Sequence, residues 1–369
     1  MPTAPVDDNG TVLYFEDSGA PPGSADYITL VLVHGTCFHS AVYRPMIPFS
    51  AEHNLRLVLL NLRDYPGSTL LFPEDVNDLR GPSEEAQARA INNRGIEIAA
   101  FLRWFIESKC IPPINEAAGT GGLSLLAWSG GTCPTAAMFA HADRLPEETR
   151  TLLDTHLRSY IMYEKPDPSG TIIGQPRPPG LTVLHPRRHA SLDEQVADMA
   201  LAIGSYYPPF TFPGHIDPPP VYDPPRRALH LGPDPVDPKH TPTTSRMSPE
   251  VLRSLTNPAV MAENQHLIWT LSYNVYKENL RRCLYDCRIL DDDGSGSPKK
   301  VWPNVRVQYI WCDMTAGDCA WTAAVIQSQW NAADPEHRRR VEFHKLEGAN
   351  HFYHWEEPEK FMKLLAGLV

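Results

Sequence analysis

Hydrophobic and polar positions along this chain fall into runs of two kinds that take turns. YITLVLVHG (27–35) and LRLVLLNL (55–62) are almost continuously apolar and rich in β-branched residues, the pattern of strands buried on both faces. TVLYFED (11–17), ahead of them, alternates loosely, and HSAVYRPMIPFSAEH (39–53), between them, has helical spacing in its middle. PSEEAQARAINNRGIEIAAFLRWFIESK (82–109) opens with Ser83 before Glu84 and Glu85, and its apolar positions recur at helical intervals, which predicts the longest helix. GLSLLAWS (122–129), GTCPTAAMFAHA (131–142) and LRSYIMYE (157–164) then read as strand, helix and strand. Near the C-terminus, VRVQYIW (305–311) and RVEFHKL (340–346) repeat the strand signature, with AWTAAVIQSQWNAA (320–333) and EEPEKFMKLLAGLV (356–369) as helices. Strands alternating with helices predict an α/β fold, a mostly parallel sheet flanked by helices.

The rhythm breaks after Glu164, and from there to about residue 249 the chain carries about half of its 37 prolines. SLDEQVADMALAIGSYY (191–207) is nevertheless an amphipathic helix pattern, and aromatics stud the stretch at Tyr206, Tyr207, Phe210, Phe212 and Tyr222. An ordered, Pro-rich helical lid is expected rather than a disordered linker. Helical patterns in SPEVLRSL (248–255) and MAENQHLIWTLSYNVYKENLRRCLYD (261–286) close the insertion and lead back to the core. The expected organisation is a core in two parts, 1–164 and 276–369, with a lid at 165–275; a length of 369 residues suits one core plus one insertion.

Charge and cysteine usage narrow the function classes. A formal net charge of −11, with no Lys or Arg cluster interleaved with aromatics, makes nucleic acid an unexpected partner. No stretch reaches the roughly 18 consecutive apolar residues of a membrane helix, and MPTAPVDDNG lacks a signal-peptide pattern. A soluble cytosolic protein with no membrane partner is expected. The seven cysteines include no CxxC pair, so reduced thiols are expected and no metal site is suggested. His351 and His354 have HxxH spacing, but no third ligand stands beside them.

Three short segments carry candidate chemistry. Ala127-Trp128-Ser129-Gly130-Gly131 lies between a buried strand and a helix and is one change from G-x-S-x-G, the turn that presents a nucleophilic serine. His34-Gly35-Thr36 ends an earlier strand, where the backbone N–H of Thr36 could converge with that of Gly130 on one oxygen. His351, in a loop between the last strand and the last helix, is placed to take the serine's proton. Trp128 and Cys37, next to these turns, and Tyr206 and Tyr207 of the insertion are the expected substrate-binding side chains.

The order VLVHGT, NLRDYPGST, AWSGGT, NHFYHWEEPEKF resembles the α/β-hydrolase superfamily, in particular its lidded epoxide hydrolase and esterase branch, over most of the chain outside 165–250. HGTCFHSAVYRPMI and the WCDMT turn resemble, more narrowly, fungal hydrolases of toxin and polyketide pathways. The resemblance implies an α/β-hydrolase fold with Ser129 as nucleophile, His351 as base and an Asp or Glu orienting the histidine. Relatives that are dehalogenases or epoxide hydrolases use Asp as nucleophile, so Ser129 points to acyl transfer. The orienting acid departs from the family pattern: the turn after VQYIW would place it at a position occupied by Thr315. Asp313 is the first choice, with Glu164 (in YIMYEKP) and Asp318 as alternatives. Arg63 and Asp64 read as structural. The expected function is a serine hydrolase of an ester, thioester or lactone of a medium-sized hydrophobic molecule, without a cofactor. A lyase or cyclase using the same Ser and His, and a non-catalytic receptor on the same fold, stand as alternatives.

Overall fold

The structure is a computed structural model, and it describes residues 2–166, 191–207, 209–211, 238–263, 271–289 and 298–369. Phe212 and Tyr222, most of the proline-rich stretch and the middle of the 261–286 helical pattern lie outside the described residues. Strands β1 (Thr3–Pro5), β2 (Val12–Asp17), β3 (Ile28–Val33), β4 (Leu55–Leu60), β5 (Leu123–Trp128) and β6 (Leu157–Tyr163) come from the first half of the chain. Strands β7 (Arg288–Ile289) and β8 (Lys299–Lys300) form a separate ribbon, and β9 (Arg306–Cys312) and β10 (Val341–Leu346) complete the main sheet. That sheet has eight strands in the order β1-β2-β4-β3-β5-β6-β9-β10, parallel from β4 to β10 and antiparallel at β1 and β2.

Alternation along the central strands explains why their apolar runs are unbroken. Val31, Val33, Val58, Leu60, Leu125 and Ala127 share a cluster with Ile98, Phe101, Leu102 and Phe105 of the helix Glu84–Lys109. Their neighbours Leu30, Leu32, Leu57, Leu59, Leu126 and Trp128 pack instead with Phe361, Met362 and Leu365 of the helix Pro358–Leu368. Both faces are thus covered, and every residue of β3, β4 and β5 is buried. Ser83 caps the long helix by accepting from the Ala86 N–H, as its position predicts. The segment with helical spacing at 39–53 is a 3-10 helix, Ser40–Phe49, rather than an α-helix. Pro45 and Pro48 lie inside it, and each removes an amide donor that an α-helical ladder would need.

The described parts of the insertion attach to the C-terminal ends of the parallel strands. The helix Leu192–Gly204 starts in a capping box made by Ser191 and Glu194. It is held by Asn350, whose Nδ2 donates to Gly204 O at 2.8 Å, and by Thr244, whose Oγ1 donates to Ala200 O at 3.0 Å. Further on, His39 N–H donates to Leu255 O and Asn257 N–H to Cys37 O, both at 2.9 Å, so this segment pairs with the loop after β3. Leu271 and Val275, with Tyr276, pack on Leu79, Ile91 and Ala137, so the helix Tyr273–Leu280 joins the core as a unit. Among the described residues no helix is long and apolar enough to cross a membrane.

Candidate active site

β5 ends in a turn that few residues tolerate. Ser129 has φ of 52°, in the left-handed region that non-glycine residues visit rarely, and is only 8% exposed. A single 3-10 turn, Ser129–Gly131, connects it to the helix Thr132–Ala140. The small residues around it have a packing cause. A Cβ on Gly131 would lie 2.3 Å from His34 O, and one on Gly35 would lie 2.9 Å from Ser129 Cβ. The loop after β3 and the serine turn are therefore pressed together, backbone on backbone. A Cβ on Gly130 would lie 2.3 Å from Thr36 Oγ1 and 3.4 Å from Thr36 N, which brings together the two residues expected to bind an oxyanion. Ala127, the departure from G-x-S-x-G, fits its methyl into the apolar cluster facing the long helix.

The loop carrying Thr36 is rigidly braced. His34, which burial pushes down to about 3, is neutral, donating from Nδ1 to Gly35 O at 2.8 Å and accepting from the Leu62 N–H at Nε2 at 3.1 Å. Cys37, at φ 71°, gives its N–H to Tyr65 Oη at 2.8 Å. Arg63 pairs with Glu97 at 2.9 Å, and Asp64 Oδ1 accepts the Leu71 N–H, so both help shape the loop after β4.

His351 is fixed through its backbone and through one ring nitrogen. Trp128 Nε1 donates to His351 O at 3.1 Å, and Tyr163 Oη lies 3.4 Å from the same oxygen. Nδ1 donates to Glu164 Oε2 at 2.8 Å, with both side chains almost fully buried. Nε2 is buried and has no hydrogen-bond partner among the described residues. A proton held on Nδ1 by a carboxylate leaves Nε2 as a lone pair able to act as a base. Glu164 is itself held twice more: the Cys312 N–H donates to Oε1 at 2.6 Å, and Thr315 Oγ1 donates to Oε2. Cys319 Sγ lies 3.7 Å from His351 Nδ1 and donates to Glu164 O at 3.4 Å.

The carboxylate on His351 is therefore that of Glu164, and not of Asp313, the first choice from sequence. Asp313 Oδ1 accepts the Gly348 N–H at 2.8 Å, which commits it to bracing the loop that leads into His351. Asp318 sits in the first turn of the helix Gly317–Ala332, partly exposed. Of the expected substrate-binding residues, Trp128, Cys37 and Tyr207 are buried in packing. Trp128 is 1% exposed and enclosed by the rings of Phe38, Tyr43, His351, Phe352 and His354, because strand alternation turns it toward the C-terminal helix. Cys37 is fully buried, and Tyr207 is buried with Oη donating to Ala202 O at 2.7 Å. The ring of Tyr206 lies tilted against that of His240, with centroids 4.9 Å apart. Sequence reasoning missed Thr315 and Cys319 as neighbours of the acid; Thr315 had the clearer signal, since it fills the slot where the family pattern puts the acid.

Glu164, Cys319 and His351 bring three potential metal-ligand atoms within 4.8 Å of one another. Their chemistry suits a hydrogen-bonded set better. Burial pushes the Cys319 thiol well above its usual value, keeping it protonated, and His351 Nδ1 is already committed to Glu164.

Comparison with known proteins agrees with this geometry at the level of the fold. The model of a family described as the alpha/beta hydrolase family matches residues 30–364. Among curated proteins, none matches the sequence. A laboratory-evolved variant, R-C1B1, of potato epoxide hydrolase StEH1 is similar in structure at 14% identity and a TM-score of 0.53, covering 100% of this chain and 98% of that one. Cfl2 from Burkholderia cenocepacia is similar at 14% identity and 0.52, covering 99% and 94%. Est816, described as an N-acyl homoserine lactone degrading enzyme, is similar at 12% identity and 0.50, covering 100% of both chains. Since the family match spans all but the ends of the sequence, this chain belongs to the alpha/beta hydrolase family.

Proposed function

We propose that the protein is a serine hydrolase that cleaves an ester, thioester or lactone of a medium-sized hydrophobic molecule through an acyl-enzyme. Ser129 Oγ attacks the carbonyl carbon while its proton passes to His351 Nε2, and the carbonyl electron pair moves onto oxygen. The Thr36 and Gly130 N–H groups hold that oxyanion. His351 returns the proton to the leaving oxygen or sulfur, and water, deprotonated by the same nitrogen, then releases the acid and frees Ser129.

The observation that carries this reading is the His351–Glu164 contact, which leaves Nε2 buried and without a partner among the described residues, with Trp128, the neighbour of a serine held at positive φ, packed on the same ring. An epoxide-opening reaction finds less support, because a serine stands where those relatives use Asp. The lyase or cyclase alternative drew on the missing acid at position 315, and Glu164 removes that motive. A hydrophobic substrate is favoured by the proline and aromatic content of the insertion. The narrower fungal resemblance extends the proposal to a cytosolic enzyme of secondary metabolism.

Intact mass after treatment with a fluorophosphonate tests it on wild type, Ser129→Ala and His351→Ala. One adduct on wild type, lost in both variants, is expected. A folded wild-type protein that acquires none and hydrolyses no ester or thioester in a chromogenic panel would sink the proposal.

A further inference from the structure

Cations gather at one place on this acidic chain. At the N-terminal ends of β9 and β10, opposite the end that carries Ser129, Glu164 and His351, a half-open cavity of about 270 Å³ is walled by Lys300, Val301, Trp330, Arg338, Arg339 and Arg340. The seven residues of β9, about 20 Å of extended chain, separate it from the candidate active site. Among the described residues, four cations and no carboxylate line it, and of the four only Arg340 has a carboxylate partner, Glu342 at 2.6 Å. Arg339 is 3% exposed, and its guanidinium donates to Cys283 O at 3.2 Å, Trp302 O at 2.8 Å and Val301 O at 3.1 Å. Those carbonyls take up three of its five N–H groups and fix its plane, but they bring no countercharge. A charge buried in that way is costly until an anion joins it. Arg338 lies over Trp330, its guanidinium carbon 3.8 Å from the ring centroid, with Nη1 donating to Trp330 O and to Asn331 O. Lys300 Nζ donates to Arg338 O at 3.0 Å. Three cations are thus held in place by neutral oxygens, with donors left over.

We propose that this cavity is a second ligand site, which binds a phosphate group carried by a small molecule or as the free ion. A phosphate dianion offsets the charges of Arg339, Arg338 and Lys300, and its oxygens match the planar forks of two guanidinium groups and the point charge of one ammonium. The carbonyls that hold Arg339 and the ring under Arg338 order both side chains beforehand, so little freedom is lost on binding. Val301 and Trp330 supply apolar wall for the rest of a phosphate ester. The site is independent of the serine hydrolase reading, since it shares no residue with that machinery.

The test is calorimetric titration of the full chain with inorganic phosphate and with phenyl phosphate, in about 0.15 M chloride so that diffuse charge attraction is screened. Saturable binding with a Kd below about 1 mM is expected for at least one of the two. Tighter binding of phenyl phosphate identifies an ester as the ligand, and equal affinities identify the phosphate group alone. Ser129→Ala should bind as wild type does. Lys300→Gln and Arg338→Gln, at partly exposed positions, should each weaken binding about tenfold, the loss of one charged hydrogen bond. Glutamine at 300 can still donate to Arg338 O, so Lys300→Gln alone decides if melting curves show that Arg338→Gln does not fold. A wild-type protein that gives no saturable heat with either ligand, or folded variants that bind as wild type does, would overturn the inference. So would binding lost in Ser129→Ala, which would put the phosphate at the serine instead.

Discussion

Replacing Glu164 by Gln is the sharpest probe of the site, because the carboxylate's hydrogen bonds dictate what the amide must do. Oε1 faces the Cys312 N–H at 2.6 Å, a group that can only donate, so the amide oxygen has to stay there. The NH2 then falls in the place of Oε2, against Thr315 Oγ1 and against His351 Nδ1 at 2.8 Å. Thr315 can turn its hydroxyl to accept. His351 must accept as well, which moves its proton to Nε2 and, on the proposed mechanism, leaves no lone pair there to take the proton of Ser129. An acid-to-amide exchange with that consequence costs about 10⁴ in kcat, or about 5 kcal/mol of transition-state stabilisation. Asp313→Asn is the control. Its amide oxygen still accepts the Gly348 N–H, so kcat/KM on a chromogenic ester should stay within about threefold of wild type. Melting curves of both variants check that the fold survives. A Glu164→Gln enzyme with more than a tenth of wild-type kcat, or an Asp313→Asn enzyme as slow as Glu164→Gln, would refute the assignment of the acid.

Two further outcomes concern stability. His34, pushed down to about 3, and His354, held well below the usual imidazole range chiefly by burial, are neutral in the folded protein. The unfolded chain takes up protons at both below about 6.5 and the folded chain does not, so stability should fall as pH drops below about 6.5, by roughly 1.4 kcal/mol per unit per histidine. For His34 that loss continues down to about 3. Urea midpoints between neutral and acidic pH measure the slope, which His354→Phe should reduce by one proton's worth; an unchanged slope would show that His354 does not contribute. Gly95→Ala should destabilise the protein by about 1–3 kcal/mol in the same assay, because the new Cβ would stand 2.5 Å from Met138 N, backbone that cannot swing away. Increased stability, as helix propensity alone would give, would show that the two helices separate at little cost.

Much of the fold was legible because parallel strands covered on both faces leave unbroken apolar runs. The stretches 55–62, 122–129, 157–164 and 340–346 contain β4, β5, β6 and β10, and 305–311 covers all of β9 but its last residue, Cys312. What the pattern could not convey was the direction of individual side chains. Trp128 and Cys37 are next to Ser129 and Thr36 in sequence, but the strand and the positive-φ turn direct both into packing. Spacing alone likewise could not distinguish the 3-10 segment Ser40–Phe49 from an α-helix, although its two prolines already argued for the tighter form.

The orienting acid was the hardest part to read, for a reason that lies in the sheet. β6 and β9 are neighbours and parallel, with Tyr163 opposite Ile310 and the Glu164 N–H donating to Ile310 O at 2.9 Å. Their C-terminal ends therefore open onto the same histidine, and a carboxylate just beyond either strand can reach its Nδ1. In sequence these ends are 151 positions apart at Glu164 and Thr315, so reading along the chain yields candidates without ranking them. Burial decides between them. A charge as deep as Glu164 needs donors from the neighbouring strand end, and two are supplied there, the N–H of Cys312, the last residue of β9, and the hydroxyl of Thr315 in the turn that follows. A carboxylate at position 315 would instead stand against that of Glu164, and two adjacent buried carboxylates cannot both stay ionised. The threonine that looked like a missing acid is thus the hydrogen-bond donor that an acid on β6 requires.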